Sequence, residues 1–115
     1  MSEHVSNTIR IRHIVDAINK IQSYVSGISE TEFYEDEKTI QAVERNFEII
    51  GEAAKRVPDD IQNKYTGVEW LDMRDMRNFI IHQYDDVEEH VLWNTIKTDL
   101  PPLLKKLEQI LGELE

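Results

Sequence analysis

The stretch Asp36–Val57, DEKTIQAVERNFEIIGEAAKRV, decides the fold class of this chain. Its apolar residues recur every three or four positions, the spacing at which side chains of an α-helix share one face. These apolar positions are Ile40, Val43, Phe47, Ile50, Ala54 and Val57. Acidic residues open the stretch and basic residues close it, which suits the helix dipole, and Pro58 follows as a stop. The pattern therefore predicts a long amphipathic helix from about Asp36 to Val57.

Gly51 lies inside this predicted helix, where it costs about 1 kcal/mol relative to alanine. Ala53 and Ala54 are also small. The three together indicate a close approach of another helix, within the fold or across a dimer. We favour packing over a ligand role at this position.

A first helix is predicted on the N-terminal side of this stretch. Ser6 or Asn7 is a candidate cap and Gly27 is a candidate stop. The apolar positions between them again follow the helical spacing: Ile11, Ile14, Val15, Ile18, Ile21 and Val25. Thr31 is predicted to cap a short turn before the long helix.

Helical patterns continue on the C-terminal side. Pro58–Tyr65 indicates a short helical turn, and Thr66–Gly67 indicates a break. A third long helix is predicted to begin near Glu69 or Trp70. Asp85–Asp86 is a candidate cap for a fourth helix. Its apolar positions are Val87, Val91, Leu92, Trp93, Ile96 and Leu100.

Pro101–Pro102 is predicted to kink or interrupt that helix, because proline lacks an N–H donor and clashes with the preceding turn. Thr98 or Asp99 is a candidate cap for the restart. The last stretch has one apolar stripe, made of Leu103, Leu104, Leu107, Ile110, Leu111 and Leu114. The patterns together predict a single all-α domain over residues 1–115, an antiparallel bundle of four or five helices.

The composition of the 115 residues is ordinary for one globular domain, with 40% hydrophobic and 31% charged residues. Four glycines and three prolines leave little material for a turn-rich β fold. The absence of cysteine excludes disulfides and thiolate chemistry. There is no N-terminal apolar signal and no run near the roughly 18 apolar residues that a membrane span needs. We therefore expect a soluble, cytoplasmic protein with no membrane partner.

The net charge of −10 argues against a broad nucleic-acid-binding face. Acidic residues cluster in Glu30–Glu37 and Asp85–Glu89, whereas basic and acidic residues balance between positions 55 and 77. This charge distribution is therefore compatible with a local cationic cleft on an acidic molecule. We interpret the acidic clusters as solvated faces that keep the protein soluble, and a basic partner protein stays open as an alternative.

The third predicted helix carries polar groups in an otherwise apolar stretch, Arg77-Asn78-Phe79-Ile80-Ile81-His82-Gln83-Tyr84. Residues four apart share a helix face, so Asn78 and His82 line up. Arg77 and His82 lie about 140° apart on a regular helix. They could converge if the helix ends or distorts near His82. Alternatively, two copies could face each other across a dimer axis and form one composite site.

These side chains suffice for metal-free RNA cleavage. His82 can exchange a proton near neutral pH and assist attack by the ribose 2′-hydroxyl on phosphorus. Arg77 can neutralise the charge that develops in the transition state, and Asn78 can fix the imidazole tautomer or contact phosphate. Because DNA lacks that hydroxyl, the hypothesis predicts cleavage of RNA and no action on DNA. The spacing alone is also typical of surface or capping residues, and Tyr84 alone is typical of an aromatic at the core edge.

The R-x4-H-x-Y stretch, preceded by Trp70 and Met76-Arg77-Asn78, resembles the signature of HepT-like proteins in the HEPN superfamily. The resemblance extends over Glu44–Pro58, over His13–Ile18 and over Val91–Pro101, and so covers nearly the whole chain. The positions that depart from the family pattern are Glu69, Arg74, Asp75 and Asp86.

The resemblance implies a helical bundle of HEPN type, usually a dimer, that acts as the metal-independent ribonuclease toxin of a type II or related toxin–antitoxin pair. Arg77 and His82 would form the active site, with Asn78 beside them. The partner would be a nucleotidyltransferase antitoxin that can transfer AMP from ATP to Tyr84. The antitoxin would use the ATP, so this chain would need no cofactor. AMP on Tyr84 would place a negative phosphate near Arg77 and block the groove.

A competing hypothesis is a non-catalytic helical binding module that docks a nucleotidyltransferase or a nucleotide. The intact Arg77 and His82 favour the enzyme, whereas the overall acidity favours the module. A metal site is the third hypothesis and the weakest. The sequence has four histidines, His4, His13, His82 and His90. Their spacing does not match that of metal ligands, so no metal is predicted.

Overall fold

A computed structural model describes the backbone of residues 3–82 and 89–115 and the side chains of residues 8–76 and 89–115. Over these residues the chain is helical and contains no strand, so the all-α prediction is confirmed. The helices are α1 (Glu3–Val25), α2 (Glu30–Glu35), α3 (Glu37–Lys55), α4 (Asp59–Lys64), α5 (Trp70–His82), α6 (Glu89–Asn94) and α7 (Leu100–Leu114). A π-helical turn, Thr95–Asp99, joins α6 to α7.

Helix α3 is central to the bundle and packs against both α1 and α5, while α1 also packs against α7. Its predicted apolar stripe is buried throughout: Ile40, Val43, Phe47, Ile50, Ala54 and Val57. Gly51 is also buried, as a packing role requires. Because α6, the π-turn and α7 follow one another without a break, the bundle has four long members, and α2 and α4 are single-turn additions. The predicted bundle is confirmed, and no helix in the described ranges is long and apolar enough to cross a bilayer.

Two predicted helix caps are wrong. The backbone of α1 is already helical from Glu3, so neither Ser6 nor Asn7 caps it. Ser29 instead of Thr31 caps α2, because Glu32 lies three residues after it and completes a capping box. The Ser29 hydroxyl accepts from the Glu32 N–H at 3.1 Å, and the Glu32 carboxylate accepts from the Ser29 N–H at 3.0 Å.

The predicted boundaries of α3 and α4 agree with the structure to within two residues. The Asp36 carboxylate caps α3 by accepting from the Thr39 N–H at 3.1 Å, and α3 ends at Lys55 instead of Val57. The turn predicted over Pro58–Tyr65 is α4. Gly27 follows α1 with φ of +79°, a left-handed conformation that favours glycine and confirms the predicted stop.

Pro101 and Pro102 do not interrupt the chain as predicted. They occupy the first turn of α7, where a missing N–H donor is tolerated. The irregularity lies before them, in the π-turn, where the N–H of Leu100 donates to the carbonyl of Thr95. Of the two predicted restart caps, Thr98 and Asp99, the structure places Asp99 at the N-cap position of α7, but its side chain makes no capping hydrogen bond. The predicted cap at Asp85–Asp86 lies outside the described residues.

A pair of leucines tests how the core is assigned. Leu107 is fully buried, whereas 62% of Leu71 is exposed. Leu107→Ala should lower the free energy of unfolding by about 2–5 kcal/mol, because it removes buried methyl groups and leaves a cavity. Leu71→Ala should change it by less than about 0.5 kcal/mol in dilute protein. Urea titration measures both values, and equal losses would contradict the placement of Leu107 in the core.

Candidate active site

Two buried side chains seat α5 against the bundle. Trp70 is 5% exposed and Met73 is 1% exposed. The indole Nε1–H of Trp70 donates to the backbone carbonyl of Tyr65 at 3.0 Å, so its polar atom is paired despite burial. Met76, one turn further along, packs partly buried against the same core. These contacts fix the rotation of α5 about its own axis.

That rotation places the two motif positions on different sides of α5. Position 77 comes seven residues after Trp70 and four after Met73, so its backbone lies on the side of α5 that carries those two residues. Position 82 comes seven residues after Asp75 and eleven after Leu71, both of which are exposed. The helix is continuous from Trp70 to His82, so positions 77 and 82 lie about 140° apart. The described backbone does not bring them to one face of a single chain.

His82 is the last residue of α5 that the structure describes. The side chains of Arg77, Asn78 and His82, and the whole of Tyr84, lie outside the described residues. Their assignment as site residues therefore stays a prediction.

Carboxylates of two helices lie close enough to affect one another. Glu44 and Glu48 lie on α3, which packs along α5, and Glu89 lies on α6. Burial raises the pKa of the half-buried Glu44, and the charges of Glu48 and Glu89 raise it further. This negative environment disfavours a phosphate unless a cation is close. Sequence reasoning gave Glu44 no role, although its spacing of four from Glu48 on an amphipathic helix was a usable signal.

A groove separates α5 from the π-turn and α7. It consists of two adjoining cavities of about 310 and 180 Å³, which share Asp72, Met76 and Asp99. The described lining is acidic at the rim and apolar below. Its carboxylates are Glu69, Asp72, Asp75 and Asp99, and the apolar side chains of the larger cavity are Phe47, Met76, Val91 and Leu92. We call this feature the acidic groove.

The carboxylates of the acidic groove interact unfavourably with one another. A hydrogen bond with Asp72 and the negative charge of Asp72 both raise the pKa of the Glu69 carboxyl, because a neighbouring carboxylate disfavours its charged form. The charge of Asp99 adds to this effect, while the ammonium of Lys106 opposes it. The sequence did not predict the groove, since Asp99 is remote from the α5 carboxylates along the chain. Among the residues with described side chains, no three histidines or carboxylates form a group that could hold a metal ion.

Comparison with known proteins identifies the family. Residues 14–110 match the family model described as "Ribonuclease HepT-like". The chain belongs to the HepT-like ribonuclease family. The match includes α5 with positions 77 and 82, so the resemblance seen in the motif is confirmed. No solved structure gives a significant match.

Relatives in this family include archaeal and bacterial proteins. The chain is 39% identical over 100 residues to the "Probable ribonuclease HepT" of Thermococcus cleftensis, a match that covers 87% of this chain and 91% of the relative. It is 33% identical over 102 residues to a protein of Methanocaldococcus jannaschii named "Putative RNase", covering 89% of this chain and 84% of that protein. A protein of Caldanaerobacter subterraneus, also named "Putative RNase", is 35% identical over 101 residues, covering 88% of this chain and 90% of that protein.

The raised pKa of Glu44 leads to a pH-dependent prediction. A carboxyl whose pKa is higher in the folded than in the unfolded state favours folding at low pH and loses that contribution as pH rises through the folded pKa. Glu44→Gln should therefore raise the melting temperature at pH 7. The gain should shrink as pH falls through the raised pKa of folded Glu44 and should be lost below the unfolded glutamate pKa of about 4.3.

Glu108→Gln is the matched control, because it removes one exposed carboxylate from α7. This substitution should change the free energy of unfolding by less than about 0.5 kcal/mol at pH 7. A Glu44→Gln gain that is the same at pH 7 and pH 4 would contradict the electrostatic explanation.

Proposed function

We propose that this chain is a metal-independent endoribonuclease toxin in which Arg77 and His82 cleave RNA. The observation that carries the proposal is membership in the HepT-like ribonuclease family over residues 14–110. The seating of α5 supports it, because buried contacts at Trp70 and Met73 hold the segment that carries both residues in a fixed orientation.

The proposed reaction is attack by the ribose 2′-oxygen on the adjacent phosphorus. His82 removes the 2′-hydroxyl proton as the new oxygen–phosphorus bond forms. The bond from phosphorus to the 5′-oxygen breaks, and that oxygen leaves with a proton. The products are a 2′,3′-cyclic phosphate and a 5′-hydroxyl. Arg77 binds the non-bridging oxygens, where negative charge grows in the transition state, and Asn78 orients the imidazole or the phosphate.

We infer that the active site is shared between two chains. The angle of about 140° between positions 77 and 82 on a continuous α5 separates them within one chain. A two-fold axis beside α5 would bring position 82 of one chain towards position 77 of the other. Leu71, a large exposed apolar side chain in register with position 82, would gain burial in such a dimer.

The proposed partner is a nucleotidyltransferase antitoxin that neutralises the toxin by binding it or by transferring AMP to Tyr84. AMP would add bulk and a negative phosphate two residues after His82. The non-catalytic binding module is the second candidate function, and the net charge of −10 is the observation that favours it.

Cleavage of a mixed RNA pool in EDTA tests the catalytic proposal. The protein is produced without its partner, and wild type should leave cyclic-phosphate ends. Arg77→Ala and His82→Ala should each lower the rate by at least about 100-fold, the usual contribution of a proton-transfer group or a charge-stabilising contact. Arg45→Ala and His13→Ala, at exposed positions on α3 and α1, are the matched controls and should retain activity.

Two results would contradict this proposal. Cleavage that EDTA abolishes would rule out the metal-independent mechanism. A wild type that cleaves nothing and shows no AMP adduct in its intact mass would favour the binding module.

Mixing the two inactive variants tests the composite site. A dimer of one Arg77→Ala chain and one His82→Ala chain would contain one site with both groups intact and one site with neither. A random mixture should therefore recover about a quarter of wild-type activity, because half of the dimers are mixed and each has one working site. If both groups act from the same chain, every site stays damaged and the mixture remains inactive.

A further inference from the structure

The acidic groove combines an apolar floor with an excess of negative charge. Its larger cavity, of about 310 Å³, is lined by Phe47, Met76, Val91 and Leu92 below Asp72, Asp75 and Asp99. Its smaller cavity, of about 180 Å³, adds Glu69 and Lys106. Apolar walls with a few convergent charges are typical of surfaces that bind another molecule. We propose that the acidic groove docks a cationic amphipathic segment of a partner protein.

Charge complementarity selects the chemistry of the occupant. Four carboxylates and one ammonium stand among the described lining residues. Lys106 is engaged locally, since its Nζ donates to the carbonyl of Gly67 at 2.8 Å. Lys106 offsets the mutual repulsion of Glu69, Asp72 and Asp99 only in part, since the pKa of Glu69 stays raised, and a bound cation would relieve the remainder. A nucleic-acid backbone would meet repulsion here, so the groove is not suited to RNA.

Arginine or lysine side chains fit both parts of the groove. Their aliphatic stems can lie along Met76, Val91 and Leu92 while their charged ends reach the carboxylates. The planar arginine fork can bind two carboxylate oxygens at once. This recognition needs a segment with several cations, and the present chain has no run of three consecutive basic residues. We therefore assign the occupant to a different, basic protein; the assignment does not depend on the ribonuclease activity.

A peptide titration tests the proposal. The probe is a synthetic peptide of about 14 residues with leucine and arginine at helical spacing, measured by calorimetry at two salt concentrations. Wild-type protein should bind it with a dissociation constant on the order of 10 μM. Asp72→Asn/Asp99→Asn should weaken binding at least tenfold, whereas Asp72→Glu/Asp99→Glu, which keeps the charges, should bind nearly as well as wild type.

The matched control removes two negative charges elsewhere. Asp16→Asn/Glu108→Gln alters exposed carboxylates on α1 and α7 that do not line the groove, and it should bind within about twofold of wild type. The wild type and the three double variants should unfold at similar temperatures, because every altered side chain is exposed.

Three results would overturn the proposal. The first is the absence of peptide binding to wild type. The second is an equal loss in the control variant, which would show non-specific attraction to an acidic protein. The third is displacement of the peptide by spermine at equal concentration of positive charge, which would assign the groove to a polyamine instead of a protein segment.

Discussion

The seating of Trp70 and Met73 is the constraint on which the rest of the site depends. Both side chains are buried, and the Trp70 indole is tied to the carbonyl of Tyr65 at the end of the preceding turn. A helix held at two successive buried positions cannot rotate without exposing apolar surface, at a cost of about 25 cal/mol per Å². The core therefore decides which α5 positions face inward, which face outward and which line the acidic groove.

The π-turn has a comparable influence on the opposite wall of the groove. Pro101 and Pro102 cannot donate backbone hydrogen bonds, and a helix that runs into them leaves carbonyls of the preceding turn without their usual partners. The wider turn at Thr95–Asp99 shifts the pairing so that Leu100 donates to Thr95 before the prolines begin. The chain stays helical, and Thr95 and Asp99 lie along the groove instead of at a break. A change in hydrogen-bond register thus shapes a surface.

The sequence predicted the fold well because the periodic stripe of α3 reports burial directly. Ile40, Phe47 and Ile50 were assigned to the core from spacing and are buried. Caps were predicted less well, since Ser6, Thr31 and Asp99 are all plausible caps and only the local hydrogen bonds decide among candidates. The acidic groove was not predictable, because it depends on how α5 and the π-turn pack across the bundle. The motif indicated the chemistry, and helix geometry already indicated that positions 77 and 82 diverge; the continuous backbone of α5 from Trp70 to His82 rules out convergence by a break between them.

On a net-acidic protein that binds RNA, the cations that bind phosphate must be separated in space from most of the carboxylates. At physiological ionic strength, exposed charges more than about 8 Å apart are largely screened from one another, so the net charge of −10 matters less to a bound phosphate than the few groups beside it. The charges of Glu48 and Glu89 act on Glu44, so negative charge is concentrated on α3 and α6, and the permanently charged guanidinium of Arg77 is the feature of the motif that suits a phosphate. The acidic groove faces the π-turn and α7, where negative charge favours a basic protein. On this view the proposed active site on α5 and the acidic groove attract different partners, because local charge, and not the net charge of the chain, sets what each surface can bind.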